Sequence, residues 1–171
     1  MTHLNIEFKA RAHNLESLEA KLLTLNPRFI GTDHQKDTYY NVTIGRLKLR
    51  EGNIENALIW YDRANSTGSK QSDILLYKHQ PDDALKKILL KLHGIKIIVE
   101  KARKIYFVDN VKFHFDRVQG LGTFLEVEAI DDDGSISKQQ LQTQCDHYIN
   151  FFEVQPADFI TVSYSDMMLA T

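Results

Sequence analysis

The chain has 171 residues, 43% of them hydrophobic and 26% charged, the balance of one globular domain over residues 1–171 and not of a disordered or fibrous chain. A domain of this size buries about 68–70% of its unfolded surface, so it folds without disulfides or a structural metal. Lys and Arg total 21 against 23 Asp and Glu, a formal net charge of -2. This excludes the broad basic surplus of a duplex-coating protein and leaves any anion site to be local.

The single cysteine, Cys145, has no internal partner for a disulfide. It falls at helical spacing from Leu141, Tyr148 and Ile149, the pattern of a small core residue. No run of 18 apolar residues is present, and the first residues lack the basic and apolar regions of a signal peptide. The expectation is a soluble cytoplasmic protein with no membrane and no nucleic-acid partner.

The elements follow in chain order. A strand over 4–11 places Leu4, Ile6, Phe8 and Ala10 on one face and Asn5, Glu7, Lys9 and Arg11 on the other. Asn14 is a cap candidate for a first helix carrying Leu15, Leu18, Leu22 and Leu25. Strands are predicted over 34–41, 45–51, 57–63 and 72–79, with Arg46, Lys48 and Arg50 sharing one face of the second of these. Asn65-Ser66-Thr67-Gly68-Ser69 reads as a loop. After Pro81, Asp82 and Asp83 suit the first turn of a second helix bearing Leu85, Ile88, Leu89 and Leu92, with Gly94 as its stop.

Three further strands are predicted over 97–108, 111–118 and 122–130. They pair Lys101 with Arg103, set Lys112, His114 and Asp116 opposite Phe113 and Phe115, and alternate Glu126 and Glu128 with Leu125, Val127 and Ala129. Asp131-Asp132-Asp133-Gly134 is a turn, and a third helix after Ser135 carries Ile136, Leu141, Cys145, Tyr148, Ile149 and Phe152. The fold class is α+β, with eight antiparallel strands and three flanking helices.

One bland explanation of the charged faces is a sheet with one wet side. Against it, the polar positions are dominated by charges of both signs, and three amphipathic helices are available to cover the apolar face. Eight strands suffice to close a barrel, and the charged face then lines its lumen. The lining cations are Lys9, Arg11, Lys48, Arg50, Arg63, Lys78, Lys101 and Arg103; the anions are Glu7, Asp37, Asp116, Glu126 and Glu128. The cations suit a polyphosphate chain, and clustered carboxylates suit a hard ion such as Mg²⁺ or Mn²⁺.

Asn5-x-Glu7-x-Lys9 resembles the Glu-x-Glu-x-Lys motif that opens the CYTH domain of the triphosphate tunnel metalloenzyme superfamily. The resemblance continues through Gln35-x-Asp37-Thr38-Tyr39-Tyr40 and Gly45-Arg46-Leu47-Lys48-Leu49-Arg50-Glu51, then Gly68-x-Lys70-x-Ser72, Lys101-x-Arg103 and His114-x-Asp116. It ends with Gly120-Leu121-Gly122-x-Phe124-x-Glu126-x-Glu128 and the tail Ser163-Tyr164-Ser165-Asp166. Within the superfamily the chain looks most like the class IV adenylyl cyclase group.

The resemblance implies an eight-stranded closed tunnel and a small-molecule triphosphate as partner, and it leaves room for a homodimer. It implies Mg²⁺ or Mn²⁺ at Glu7, Glu126 and Glu128. Phosphate contacts fall on Lys9, Lys48, Arg50, Lys101 and Arg103, with Arg11, Arg63, Lys70 and Lys78 as further binding cations. Asp116, Lys101 and Arg103 are the expected catalytic set, and His114 stands either as a general acid or as a spacer. The reaction is cyclisation of ATP to cyclic AMP and pyrophosphate; the alternatives are hydrolysis of an inorganic, thiamine or nucleoside triphosphate, and binding without turnover. Asn5 departs from the motif, bringing an amide where the family carries a carboxylate.

Overall fold

Side chains alternate between the two faces of each strand, and here the sheet closes on itself so that one face becomes a lumen. The computed structural model describes residues 2–62 and 68–171; Arg63 and most of the predicted loop after it lie outside the described residues. The strands are β1 (Thr2–Arg11), β2 (Arg28–Tyr40), β3 (Arg46–Glu51), β4 (Ala57–Asp62), β5 (Lys70–Lys78), β6 (Ile95–Val108), β7 (Val111–Val118) and β8 (Gly122–Asp131). They close in the order β1-β5-β4-β3-β2-β6-β7-β8, each pair antiparallel. Closure satisfies the backbone groups that an open edge would expose.

The three predicted helices are α1 (Leu15–Leu23), α2 (Asp83–His93) and α3 (Lys138–Phe151). Asn14 caps α1 by accepting from the Ser17 amide, and Asp82 caps α2 by accepting from that of Ala84. Ser137 and Gln140 form a reciprocal capping box on α3. The apolar stripes of α1 and α3 lie on the outer face of β1, β7 and β8, where Leu22, Leu141 and Cys145 pack with Phe8, Phe113 and Phe115. Helix α2 sets Leu85 and Leu89 against Tyr40, Leu47, Leu49 and Leu58 on β2, β3 and β4. Among the described residues, no helix is long and apolar enough to cross a membrane.

Two differences from the sequence reading bear on the site. Strand β2 begins at Arg28, six residues before the predicted start, and pairs with the far end of β6 through a bulge between Phe29 and Gly31. Its glycine and exposed Phe29 hide the strand from a periodicity argument. A fourth helix, α4 (Tyr164–Leu169), is closed by a capping box of Ser163 and Asp166. Six residues are too few to show a helical period, yet this helix carries Tyr164 into the barrel.

Leu141 is fully buried between α3 and the sheet. Leu141→Ala is expected to cost about 2–5 kcal/mol in urea unfolding. It should leave ligand affinity in the lumen unchanged, because α3 lies outside the barrel.

Candidate functional site

A cavity of about 470 Å³ runs through the barrel from Ser163 and Tyr164 to Asn56, Lys78 and Gln80, the last two exposed to solvent. Its walls differ. On β1, β3, β6, β7 and β8 the inward positions are charged: Glu7 and Lys9, Lys48 and Arg50, Lys101 and Arg103, Lys112 and His114, Glu126 and Glu128. On β4 they are apolar, Ala57, Ile59 and Tyr61, and on β5 Ile74 and Leu76 extend that surface between Ser72 and Lys78. The charged faces expected from the sequence thus line the lumen on five strands, and the apolar stretch on β4 and β5 is a further surface beside them. Strand β4 is apolar on both faces, so alternation did not expose its inward side.

The cations are supported from behind. Asp37 is fully buried and is not on the cavity wall. Its carboxylate takes a bidentate pair from Arg50 at 2.9 and 2.8 Å, with Lys101 Nζ at 2.8 Å and Lys48 Nζ at 3.3 Å. Burial opposes the charged form, but Arg50, Lys101 and Lys48 outweigh it and hold Asp37 well below the usual carboxylate range. Asp116, also fully buried, accepts from Arg103 Nε and Nη2 at 2.7 and 2.6 Å and from the Tyr164 hydroxyl at 2.7 Å.

One aspartate does not fully compensate three cations. Burial, reinforced by the Arg50 and Arg103 charges, pushes Lys101 down to about 7 despite Asp37 beside it. At neutral pH its ammonium is partly deprotonated, and an arriving anion would restore the proton.

The acidic side of the lumen has the opposite character. Glu126 lies 3.7 Å from both Lys9 Nζ and Arg103 Nη2, and against the cost of burial these cations hold it well below its ordinary value. Glu128 is cross-strand partner to Glu7; burial, then the Glu126 and Glu7 charges, holds its proton well above the usual carboxylate range. His114 Nδ1 stands 3.8 Å from Glu126 and 3.7 Å from Glu128, too long for hydrogen bonds, and neither ring nitrogen has a hydrogen-bond partner among the described residues. Burial and the Arg103 charge push His114 down to about 4, so its imidazole is neutral.

Ligand atoms of His114, Glu126 and Glu128 all lie within 4.8 Å of one another. A neutral imidazole without a partner, beside two carboxylates that crowd each other, fits a divalent cation. Glu7 flanks this group on β1. Asn5 Nδ2 lies 3.5 Å from Glu7 Oε2, while Asn5 Oδ1 is buried without a hydrogen-bond partner among the described residues.

Most predicted site residues converge here: Glu7, Lys9, Lys48, Arg50, Lys101, Arg103, Glu126 and Glu128 line the cavity, and Lys78 lines its exposed end. Lys9 Nζ also sits 3.8 Å from the Tyr164 ring centroid. Others stand elsewhere. Asp116, expected among the reacting groups, stands behind Arg103, with its carboxylate engaged by Arg103 and Tyr164. Arg11 is exposed outside the cavity, its guanidinium over Phe124 and donating to the Leu121 carbonyl. Lys70 is buried off the cavity wall and donates to the Thr161 carbonyl at 2.6 Å. Arg63 lies outside the described residues.

The sequence reading assigned no role to Glu55 and placed Lys112 only on a strand face; both line the cavity. The β2–β3 register, which pairs Asp37 with Arg50, would have indicated Asp37 as the shared support.

Comparison with known proteins agrees with this geometry. The family described as the CYTH domain matches residues 3–151. A Methanocaldococcus jannaschii protein named "putative adenylate cyclase" is 25% identical over 134 residues, 73% of this chain and 76% of its own. A Vibrio parahaemolyticus structure with the same description superposes with a TM-score of 0.81 at 18% identity, covering 99% of each chain. A Hippeastrum protein, described as a "putative adenylyl cyclase" that reveals a dominant triphosphatase activity, superposes with a TM-score of 0.64 at 12% identity. It covers 98% of this chain and 95% of its own. At these identities the two structures speak for the fold.

The Glu128 proton gives a test of the metal site. A carboxyl raised above its unfolded value of 4.5 stabilises the fold at low pH, and that contribution is lost as pH rises through the raised value. The Tm gain from added Mn²⁺ should therefore grow as pH rises above 4.5, because the ion replaces the departing proton. Glu128→Gln should abolish the pH-dependent part of that gain; thermal melts with and without Mn²⁺ across pH check both.

Proposed function

Because the chain belongs to the CYTH domain family, we propose that it is a metal-dependent enzyme acting on an organic triphosphate held in this lumen, with conversion of ATP to cyclic AMP and pyrophosphate as its reaction. The observation that carries the reading is the division of the cavity. Lys9, Lys48, Arg50, Lys101 and Arg103 present cations for phosphate oxygens, and in the same lumen Ile59 on β4 with Ile74 and Leu76 on β5 form an apolar surface that a bare polyphosphate would not use. A phosphate chain esterified with a flat organic group matches both walls.

The residues' work is positioning and charge compensation. Arg103, fixed bidentately by Asp116, and Arg50, fixed by Asp37, are oriented before a ligand arrives. Lys101 gains a proton as the phosphate chain settles beside it. His114, Glu126 and Glu128, with Glu7 adjacent, would hold Mg²⁺ or Mn²⁺. Bound there, such an ion supplies neutralising charge to phosphate oxygens.

In cyclisation the ribose 3′-oxygen forms a bond to the α-phosphorus, the bond to the bridging oxygen of pyrophosphate breaks, and the hydroxyl proton leaves. In hydrolysis the water oxygen forms a bond to the terminal phosphorus, the bond to its bridging oxygen breaks, the diphosphate leaves, and the attacked phosphoryl group is released as orthophosphate with a proton lost to solvent. The second reading is favoured by the Hippeastrum neighbour, whose description names a dominant triphosphatase activity.

Phosphorus NMR of the protein with ATP, tripolyphosphate and thiamine triphosphate, in Mg²⁺ and then Mn²⁺, separates these readings. A cyclic-nucleotide resonance with equimolar pyrophosphate is the expected result. Orthophosphate release would replace cyclase with hydrolase, and perturbed substrate resonances without product would leave a binding protein. Arg103→Ala is expected to weaken ATP binding by about 1.5–3 kcal/mol, the scale of a hydrogen bond to a charged group.

Lys101 provides an independent check. Its value of about 7 in the free protein should rise beside bound phosphate. Metal-free ATP binding slightly above neutral pH should therefore take up protons, seen calorimetrically as a dependence of binding heat on the buffer's ionisation enthalpy. Lys101→Arg should remove this uptake.

A further inference from the structure

The hairpin between β3 and β4, residues 52–56, carries Glu55 to the solvent-exposed end of the cavity, and its backbone is fixed by contacts that have nothing to do with a ligand. The buried Asp33 carboxylate accepts from the Ile54 and Glu55 amides, both at 2.9 Å. Asn53 accepts from the His34 amide at 2.6 Å and donates to the Thr32 carbonyl at 3.1 Å. Asn56 closes the loop on both backbone groups of Gly52. A Cβ at Gly52 would lie 2.5 Å from Asp33 Oδ1, and one at Gly31 would lie 2.8 Å from Ile54 Cδ1, so the loop is seated where only glycine leaves room.

Glu55 is thus held in place from its own backbone. Its carboxylate accepts from Lys112 Nζ at 2.5 Å, Gln35 Nε2 at 3.1 Å and Arg50 Nη1 at 3.4 Å. Asp37 and Asp116 compensate their cations from behind the wall, but Glu55 is on the wall and presents its charge to whatever occupies the cavity. Lys9, Lys48 and Lys101 gather around one part of the lumen, whereas toward the exposed end, where Lys78 also lines the wall, Glu55 takes up the charges of Lys112 and Arg50.

An inorganic polyphosphate is anionic at both ends, whereas a triphosphate ester is anionic at one and neutral at the other. We infer that Glu55 is a specificity-determining residue, which disfavours ligands carrying negative charge at the exposed end of the cavity and so selects triphosphate esters over inorganic polyphosphates. Discrimination here comes from a carboxylate that cancels the Lys112 and Arg50 charges at that end as much as from the attraction deeper in the barrel. The inference rests on the triphosphate reading given under Proposed function.

The test is calorimetric measurement of Kd for ATP and for tripolyphosphate, metal-free, on wild type, Glu55→Gln and Glu55→Asp. Glu55→Gln should tighten tripolyphosphate about tenfold relative to ATP, the size of one like-charge contact near a protein surface. Glu55→Asp keeps the charge and should keep the wild-type ratio. On wild type alone, tetrapolyphosphate should bind more weakly than tripolyphosphate in spite of its extra charge, which needs no variant to fold. An unchanged ratio in Glu55→Gln, or tetrapolyphosphate binding as tightly as tripolyphosphate, overturns the assignment and leaves the triphosphate reading standing. A wild type that binds neither ATP nor tripolyphosphate overturns both.

Discussion

The two aspartates behind the cavity wall, Asp37 and Asp116, are what allow a cationic lumen to exist. Bringing several ammonium and guanidinium groups into a low-dielectric interior costs several kcal/mol per ion unless counter-charges lie close. A carboxylate placed within the cavity would meet that need and occupy the ligand's position. Asp37 and Asp116 are fully buried and off the cavity wall, so they fix Arg50, Lys101 and Arg103 without blocking the side those groups present to the cavity. Tyr164 extends the arrangement: its hydroxyl donates to Asp116 while its ring receives Lys9. The short α4 helix is thereby tied into the charge network of the barrel.

Closure and outer packing supply the rigidity this requires. Asp37 reaches Arg50 from the adjacent strand β3 and Lys101 from β6, so three strands share one carboxylate. A slip of one residue in either register would turn one partner to the outer face. Outside, α1 and α3 cover β1, β7 and β8, and α2 covers β2, β3 and β4. The apolar positions in those strands therefore select the register that points the charges inward. Function and stability use alternate residues of the same strands.

The legible part of the molecule is the part that repeats. Eight strands, three helices and most of the lining charges follow from alternation and caps, because Glu7, Lys9, Lys101, Arg103, Glu126 and Glu128 sit at regular positions on strands with one apolar face. What escaped depends on contacts between distant segments. Glu55 lies in a hairpin with no periodicity, and its seat is made by Asp33, twenty-two residues earlier. Asp116 reads as a lumen residue from alternation alone; only the side-chain packing shows Arg103 and Tyr164 taking its carboxylate. Ile59, Ile74 and Leu76 were invisible as a site because apolar residues on a strand first suggest core.

The acid–base state of the cavity completes the account. Burial holds His114 neutral, lets Lys101 lose part of its charge and, with the Glu126 and Glu7 charges, raises Glu128 well above the usual carboxylate range. Each group sheds charge where charge would be costly, so the free cavity carries less of it than its residue types imply. The two departures complement two kinds of ligand: an anion beside Lys101 restores an ammonium, and a divalent cation beside Glu128 releases a proton. Joint binding of a metal and a triphosphate would thus move protons in opposite directions within one lumen.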